Sequence, residues 1–506
     1  MGVIKGQSTK STIISGLGLG IGAFNLIILF PRVLSSEQIG LTQVLFSLAS
    51  PMLVLASFGM LYTVNKFFPY YQRYTQRKEN DLIAISTLIL TIGLILTISL
   101  SFVFKLFILK KFGKSPLLVD LFYLVPIFLV SLSYFQLFAI FLDNNKKTSQ
   151  TAFARDVLMR VSTTILTITF FLNKISFKQF ALLYSLQYAI FTPYLILKLT
   201  QIKALNYSFN LSKLTKRIMP YMLRFAGLYW AQGLFSISAM FIDTIAIAGL
   251  QGLNYTAYYI IATYFITLMV LPQRSLVAIS IPELAIAWRD KNIKRIKSIY
   301  VKSSQALLTI GGLIFTLIWV NVNEILNLLP DEYSIIKWII LVLGVSKLID
   351  FSCGVNGQIL ATSKHYWGFD LISNMIFITL LIPLNIVLVT KYHIFGAAFA
   401  NLASFSVFNV VRTLYLYRFE RITPFTKKTM RIAFIILTIA SISSIFNYYN
   451  FINYTSYGHT ILILCIKGIS TGIIYYILCK KANCSEFLDE LVINKLRGFI
   501  FFNHKS

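Results

Sequence analysis

Fourteen apolar stretches follow one another along the chain, most of them near the roughly 20 residues a helix needs to cross a bilayer. They fall at 12–30, 38–64, 82–104, 117–142, 151–172, 178–197, 218–246, 255–285, 300–321, 334–362, 367–389, 394–416, 432–448 and 459–479. The connections are short and polar, and none can hold a folded extramembrane domain. The clearest punctuation is Pro31-Arg32-Val33-Leu34-Ser35-Ser36-Glu37. Here a proline is expected to stop the first helix, a serine to cap the second, and Glu37 to sit favourably in its first turn. Segments 1–6 and 7–12 have similar lengths and both open with a long helical hairpin, as an internal duplication would, although no repeat is visible residue by residue.

Composition agrees with a bilayer as solvent: 57% of the residues are hydrophobic and the mean hydropathy is +0.73. The net charge of +28, from 46 Lys+Arg against 18 Asp+Glu, would suggest nucleic acid in a soluble protein. In this chain most basic residues sit in the loops, where they orient helices and meet anionic lipid, so membrane lipids and no nucleic acid are the expected partners. With the N-terminus inside, 30 Lys and Arg fall on the cytoplasmic side and 9 on the outer side. That asymmetry predicts both termini in the cytoplasm. One loop dissents, with Lys105, Lys110, Lys111 and Lys114 facing outward. Lys5 and Lys10 precede the first apolar stretch without a small-residue cleavage site, so that stretch reads as a first span.

The four cysteines (Cys353, Cys465, Cys479, Cys484) form no C-x-x-C and are expected to be reduced. His365, His393, His459 and His504 are scattered, so no metal site is expected. Residues 66–78 mix aromatics with cations, which suits a membrane interface. Residues 485–497 read as an amphipathic helix, with Ser485 as cap and Phe487, Leu488, Leu491, Val492 and Leu496 on one face.

Charge within the apolar stretches carries the functional signal. A charge at a helix centre costs about 2.5–3.5 kcal/mol on insertion scales. Seven basic residues nevertheless lie there: Arg155, Arg160, Arg224, Arg274, Lys347, Arg412 and Lys467. Counting about 1.5 Å per residue, Arg155, Arg160, Arg224 and Arg274 share the inner half of three helices. Together they would make a cationic pocket suited to phosphate oxygens, which arginine binds bidentately. Against this, Asp156 and Arg160 stand at i,i+4 and can neutralise each other, and Arg155 and Arg412 are close enough to helix ends to snorkel. Lys467 has no local acidic partner. Asp243 and Asp350 are acidic residues inside spans, and Lys347 lies at i,i+3 from Asp350. Asp243, Asp350 and Lys347 are candidates for ion coupling or gating, with a structural Lys347–Asp350 pair as the plainer reading. The chain carries no G-x-S-x-G, Walker A or H-E-x-x-H motif, so neither an enzyme nor a cofactor is expected.

Gly6-Gln7-Ser8, then Gly20, Asn25 and Leu29-Phe30-Pro31-Arg32-Val33-Leu34-Ser35-Ser36-Glu37-Gln38-Ile39-Gly40, together with Lys66-Phe67-Phe68-Pro69-Tyr70 and the later Asp243, Tyr259, Pro272-Gln273-Arg274-Ser275 and Pro282, form a recognisable set. It resembles bacterial polysaccharide biosynthesis proteins of the Wzx type, within the multidrug/oligosaccharidyl-lipid/polysaccharide exporter superfamily. The resemblance implies an all-α integral membrane protein of about 14 transmembrane helices, with two six-helix lobes in a MATE-like V and two trailing helices. The corresponding division is 1–215 (helices 1–6), 216–425 (helices 7–12), 426–480 (helices 13–14) and a cytoplasmic tail at 481–506. It also implies alternating access in the bacterial inner membrane. The implied substrate is an undecaprenyl-pyrophosphate-linked oligosaccharide for O-antigen or lipopolysaccharide assembly, with a proton or sodium as possible coupling ion. The family has no short motif to assign site residues, so Arg224, Arg274, Arg155 and Arg160 rest on the charge argument. Two rivals remain: a multidrug cation antiporter of the same fold, which the basic excess disfavours, and a membrane glycosyltransferase or O-antigen polymerase, for which no outer loop is large enough.

Overall fold

The computed structural model describes residues 2–74, 80–205, 207–208, 210–449, 457–484 and 486–489, and among them there is helix and no strand. Among the described residues twelve helices are long and apolar enough to cross a membrane, or thirteen if one bent pair counts as a single span. The expected span at 151–172 is present as a helical run from Thr148 to Phe171. Its three charges, Arg155, Asp156 and Arg160, set it apart from the apolar dozen. The tail expected at 485–497 lies outside the described residues apart from 486–489. Two compact units divide the chain, Met1–Ala257 and Tyr258–Ser506.

In the first unit, α1 (Gly2–Ala23) passes through a π-helical turn, Phe24–Leu29, into Phe30–Val33. Pro31 therefore does not stop the helix as expected. The widened turn before it tolerates the missing N–H, and the chain leaves the helix at Leu34 instead. Next, α2 (Ser36–Ser57) opens with a capping box: Ser35 Oγ accepts from the Gln38 amide at 3.3 Å, and Gln38 Oε1 accepts from the Ser35 amide at 3.1 Å. The single stretch expected at 38–64 is two helices, because Phe58 and Gly59 both take positive φ before α3 (Met60–Tyr74). The remaining long helices are α4 (Leu82–Val103), α5 (Leu124–Asn144), α6 (Met159–Phe171), α7 (Phe177–Gln201) and α8 (Lys213–Leu250). The core gathers Leu41, Val44, Leu45, Phe128, Leu132 and Phe135, and α8 packs against α2 and α3 within this unit. At 38 residues α8 is about 57 Å long, well beyond a bilayer's ~30 Å hydrocarbon core.

The second unit holds most of α9 (Leu253–Arg289), then α10 (Ile293–Val320), the short α11 (Val322–Asn327), α12 (Ile336–Ser352), α13 (Asn356–Thr362), α14 (Trp367–Tyr392), α15 (Ile394–Glu420), α16 (Lys427–Tyr449) and α17 (Tyr457–Lys481). The stretch expected as one span at 334–362 is bent by 47° between Ser352 and Asn356. Gly354 makes the bend possible. Its φ is +53°, and a Cβ there would meet Ser303 Oγ at 2.7 Å and the Tyr300 carbonyl at 3.0 Å. The freed backbone groups find partners on α10: Ser303 Oγ accepts from the Val355 amide at 3.2 Å, and Ser304 Oγ donates to the Ser352 carbonyl at 2.7 Å.

Candidate functional site

The bend delivers Asn356 and Gly357 into the middle of the second unit, beside polar side chains of α9, α12, α14 and α15. Asp350 is the hub. Its Oδ2 accepts from Lys347 Nζ at 2.7 Å and from Gln273 Nε2 at 3.2 Å, and its Oδ1 accepts from Asn409 Nδ2 at 3.2 Å. Asn409 Oδ1 in turn accepts from Asn356 Nδ2 at 2.9 Å, and both asparagines are buried. The Lys347–Asp350 pair foreseen from i,i+3 spacing is thus formed, and two carboxamides complete it.

A second ion pair lies close by on the α14–α15 hairpin. Arg412 pairs with Asp370 and donates through Nε to Ser373 Oγ at 2.9 Å. Its guanidinium carbon sits 3.9 Å from the centre of the Phe408 ring. Gly357 is the residue that α13 presents to this guanidinium, and any side chain there would collide with it. Arg412 is buried and locked to a carboxylate, so it does not snorkel to a headgroup. Two charges taken out of water in this way are tolerable only because each finds both a counter-charge and further hydrogen bonds.

The first unit has its own polar centre at two π-helical turns, Phe24–Leu29, which packs against α6, and Phe153–Leu158, which packs against α1. Asn25 Nδ2 donates to the Arg160 carbonyl at 2.9 Å, and Thr164 Oγ1 donates to Asn25 Oδ1 at 2.8 Å. Asp156 accepts from Ser15 Oγ at 2.5 Å and faces Arg155 Nε at 3.4 Å. The carboxylate therefore pairs with its neighbour Arg155, not with Arg160 at i+4 as the spacing suggested. One guanidinium nitrogen of Arg160 and the amide nitrogen of Gln187 are buried with no hydrogen-bond partner among the described residues. Wide helical turns of this kind expose backbone and side-chain polar groups and recur at functional places.

Arg224 and Arg274 behave differently. Each is exposed on its long helix, α8 and α9 respectively, and neither makes an ion pair or hydrogen bond with any described residue. Arg224 lies about 16 Å along α8 from Lys213, and Arg274 about 22 Å along α9 from Arg289. Asp243 is buried toward the far end of α8. Lys467, which had no local explanation, reaches across to Glu324 on α11 at 2.5 Å, and Glu324 is only 1% exposed. Among the described residues no group of three or more His, Cys, Asp or Glu could hold a metal ion.

Sequence reasoning missed Asp370, Gln273, Asn356, Asn409 and Glu324. Carboxamides in the middle of apolar helices were a usable signal, since each must find a partner or strand a polar group in lipid. The remote pairings themselves left no trace in spacing.

No protein-family model and no curated protein sequence matches the chain. The fold, however, is shared with solved transporters. The lipid II flippase MurJ, in an inward closed conformation, superposes with a TM-score of 0.69 at 16% identity, covering 93% of this chain and 99% of that one. An inward-facing multidrug resistance MATE family transporter of the MOP superfamily gives a TM-score of 0.58 at 14% identity, covering 84% and 95%. An outward-facing one gives 0.51 at 13% identity, covering 86% and 94%.

Proposed function

We propose that this chain is a flippase that carries an anionic, undecaprenyl-pyrophosphate-linked oligosaccharide from the cytoplasmic to the periplasmic leaflet of a bacterial inner membrane, by alternating access, for surface polysaccharide or O-antigen assembly. One observation carries the reading: the carboxylates Asp156, Asp350 and Asp370 are each tied to a basic residue, while Arg224 and Arg274 are exposed inside span-length helices with no counter-ion among the described residues. Transmembrane helices that expose unpaired guanidinium groups and neutralised acids suit an anion. Arginine's fork matches diphosphate oxygens, and in a site poor in water such charge-assisted hydrogen bonds strengthen. Arg155 and Arg160 are the second pair of candidates, with one Arg160 guanidinium nitrogen unpartnered among the described residues. Asp243, Asp350 and Lys347 are candidates for coupling a proton or sodium or for gating.

The likeness to a lipid II flippase supports a lipid-linked cargo by analogy of fold. The energetics also permit it. An inside-negative potential moves about two negative charges outward with a gain of roughly 4–5 kcal/mol per 100 mV, so transport needs no nucleotide site. The rival reading, a multidrug cation antiporter, draws on the MATE likeness. It calls for uncompensated acid, which the three tied carboxylates do not offer.

The test is surface glycan in a strain lacking its own flippase, normalised to the amount of this protein in the membrane. Arg274→Ala should abolish export at normal abundance, and Arg274→Lys should keep part of it, because charge survives and bidentate geometry does not. Full export by Arg274→Ala removes Arg274 from the substrate site.

A further inference from the structure

Helix α9 is weakest just where it must be most accurate. Pro272 has no N–H to offer the Leu268 carbonyl, so the ladder is broken one residue before Gln273 and two before Arg274. A helix loosened there can twist as well as bend. A twist of about 20° would carry a guanidinium some 8–9 Å from the helix axis through roughly 3 Å, far beyond the ~1 Å tolerance of oriented contacts. Some interaction must set the rotation of this turn if Arg274 is to meet its ligand in a fixed pose.

Among the described residues, Gln273 is the one member of the Pro272–Ser275 turn whose side chain bonds to another helix, its Nε2 donating to Asp350 Oδ2 at 3.2 Å. Asp350 is a rigid post, since Lys347 and Asn409 hold its other positions and Asn356 holds Asn409. Successive helical residues diverge by about 100°, so a turn pinned at Gln273 sends Arg274 to the open side of α9, where it is exposed. We infer that Gln273 is a positioning residue for Arg274, with the Asp350 carboxylate as its anchor. This rests on the reading of Arg274 as a phosphate contact. It gives the Lys347–Asp350–Asn409 cluster a task that requires no coupling ion: it fixes the azimuth of the substrate-binding arginine across the proline break.

Two readouts on the full-length protein in proteoliposomes test this. The first needs no substrate. In a variant with Cys353, Cys465, Cys479 and Cys484 replaced by alanine, Arg274→Cys is labelled with a water-soluble anionic methanethiosulfonate, with Gln273 intact or changed to Met. Loss of the tether should change the labelling rate at least fivefold, and an unchanged rate overturns the tether whatever the substrate is. The second is transport of a labelled lipid-diphosphate oligosaccharide. Gln273→Met should raise the half-saturating concentration about tenfold with the maximal rate within twofold. It should add nothing in the Arg274→Lys background, where oriented bidentate contact is already lost. A fall in maximal rate alone, or equal penalties in both backgrounds, marks a merely structural role and overturns the inference. Normal transport by Arg274→Ala would instead sink the functional reading beneath it, and a labelling shift in the same protein would show that failure to be separate from the tether's.

Discussion

Lys467 offers the sharpest energetic prediction. It sits on α17, a helix with little buried surface, and its ammonium meets Glu324 at 2.5 Å. Glu324 is 1% exposed and Lys467 26%, so the pair is shielded mainly on the acid's side. Lys467→Met keeps the bulk of the side chain and removes the charge. Breaking a buried pair from one side typically costs about 3–5 kcal/mol, because the remaining ion is left uncompensated. Lys337 lies within electrostatic range of Glu324 and already bonds Asn323 Oδ1 at 2.9 Å, so it can take up part of the loss. The expected cost is therefore near the lower end, about 3 kcal/mol, or roughly 150-fold in the equilibrium between docked and undocked α17. Cys479 reports that equilibrium directly, because it is fully buried on the same helix. In a protein whose other three cysteines are alanine, a membrane-permeant maleimide should label Cys479 about 100-fold faster after Lys467→Met. Adding Glu324→Leu should restore most of the protection, because no charge is then stranded. Equal labelling of Lys467→Met and the parent would refute the reasoning, as would a double variant no better than the single one.

Other predictions follow from the same kind of accounting. Asp81 is fully buried and accepts from the Ser212 amide at 2.9 Å, Ser212 Oγ at 3.1 Å and Thr215 Oγ1 at 2.8 Å, which ties the start of α8 to α4. Asp81→Ala strands those donors and should lower stability by about 2–3 kcal/mol, against about 1 for loss of the Ser212 cap in Ser212→Ala; thermal unfolding in detergent ranks the two, and the reverse order contradicts the network. Burial pushes the Cys484 thiol above its ordinary 9.0, so at pH 8 less of it is thiolate. Its alkylation rate should still be climbing at pH 9, and a plateau below pH 9 would contradict that environment. For topology, reporters fused at Lys213 and Asn447 should read cytoplasmic and periplasmic respectively; both on one side would break the helix count.

Much of the helical plan was legible because each span is a long apolar run bounded by charge, and a bilayer leaves few alternatives to a helix. The breaks were harder. Phe58-Gly59 interrupts a run that stays apolar on both sides, so the pattern passes straight over it, whereas Gly354 lies among Lys347, Asp350, Asn356 and Gln358, polar positions that read as charges within a single span and not as a break. The π turns at Phe24–Leu29 and Phe153–Leu158 have the composition of ordinary helix, and they arise from how α1 meets the Thr148–Phe171 run. The charged residues divide in the same way. Lys347 with Asp350 was readable because three residues apart on a helix means one face. Arg412 with Asp370 and Lys467 with Glu324 join different helices, and only tertiary packing chooses such partners. Gln273 was visible as part of Pro272-Gln273-Arg274, but its bond to Asp350 was not. Arg224 and Arg274 were picked out by depth within apolar stretches alone; that they are exposed and have no acidic partner among the described residues is a matter of tertiary packing that spacing did not show.

The central claim is transport of an anionic lipid-linked glycan, and the most direct measurement is translocation by the purified protein. Proteoliposomes would carry a fluorescent undecaprenyl-diphosphate oligosaccharide in one leaflet, and its appearance in the other would be read by an impermeant quencher under an imposed potential. The account predicts movement that accelerates when the destination side is made positive and that is lost in Arg274→Ala. Translocation at the protein-free rate, or movement of cationic drugs but not of the glycolipid, would contradict it.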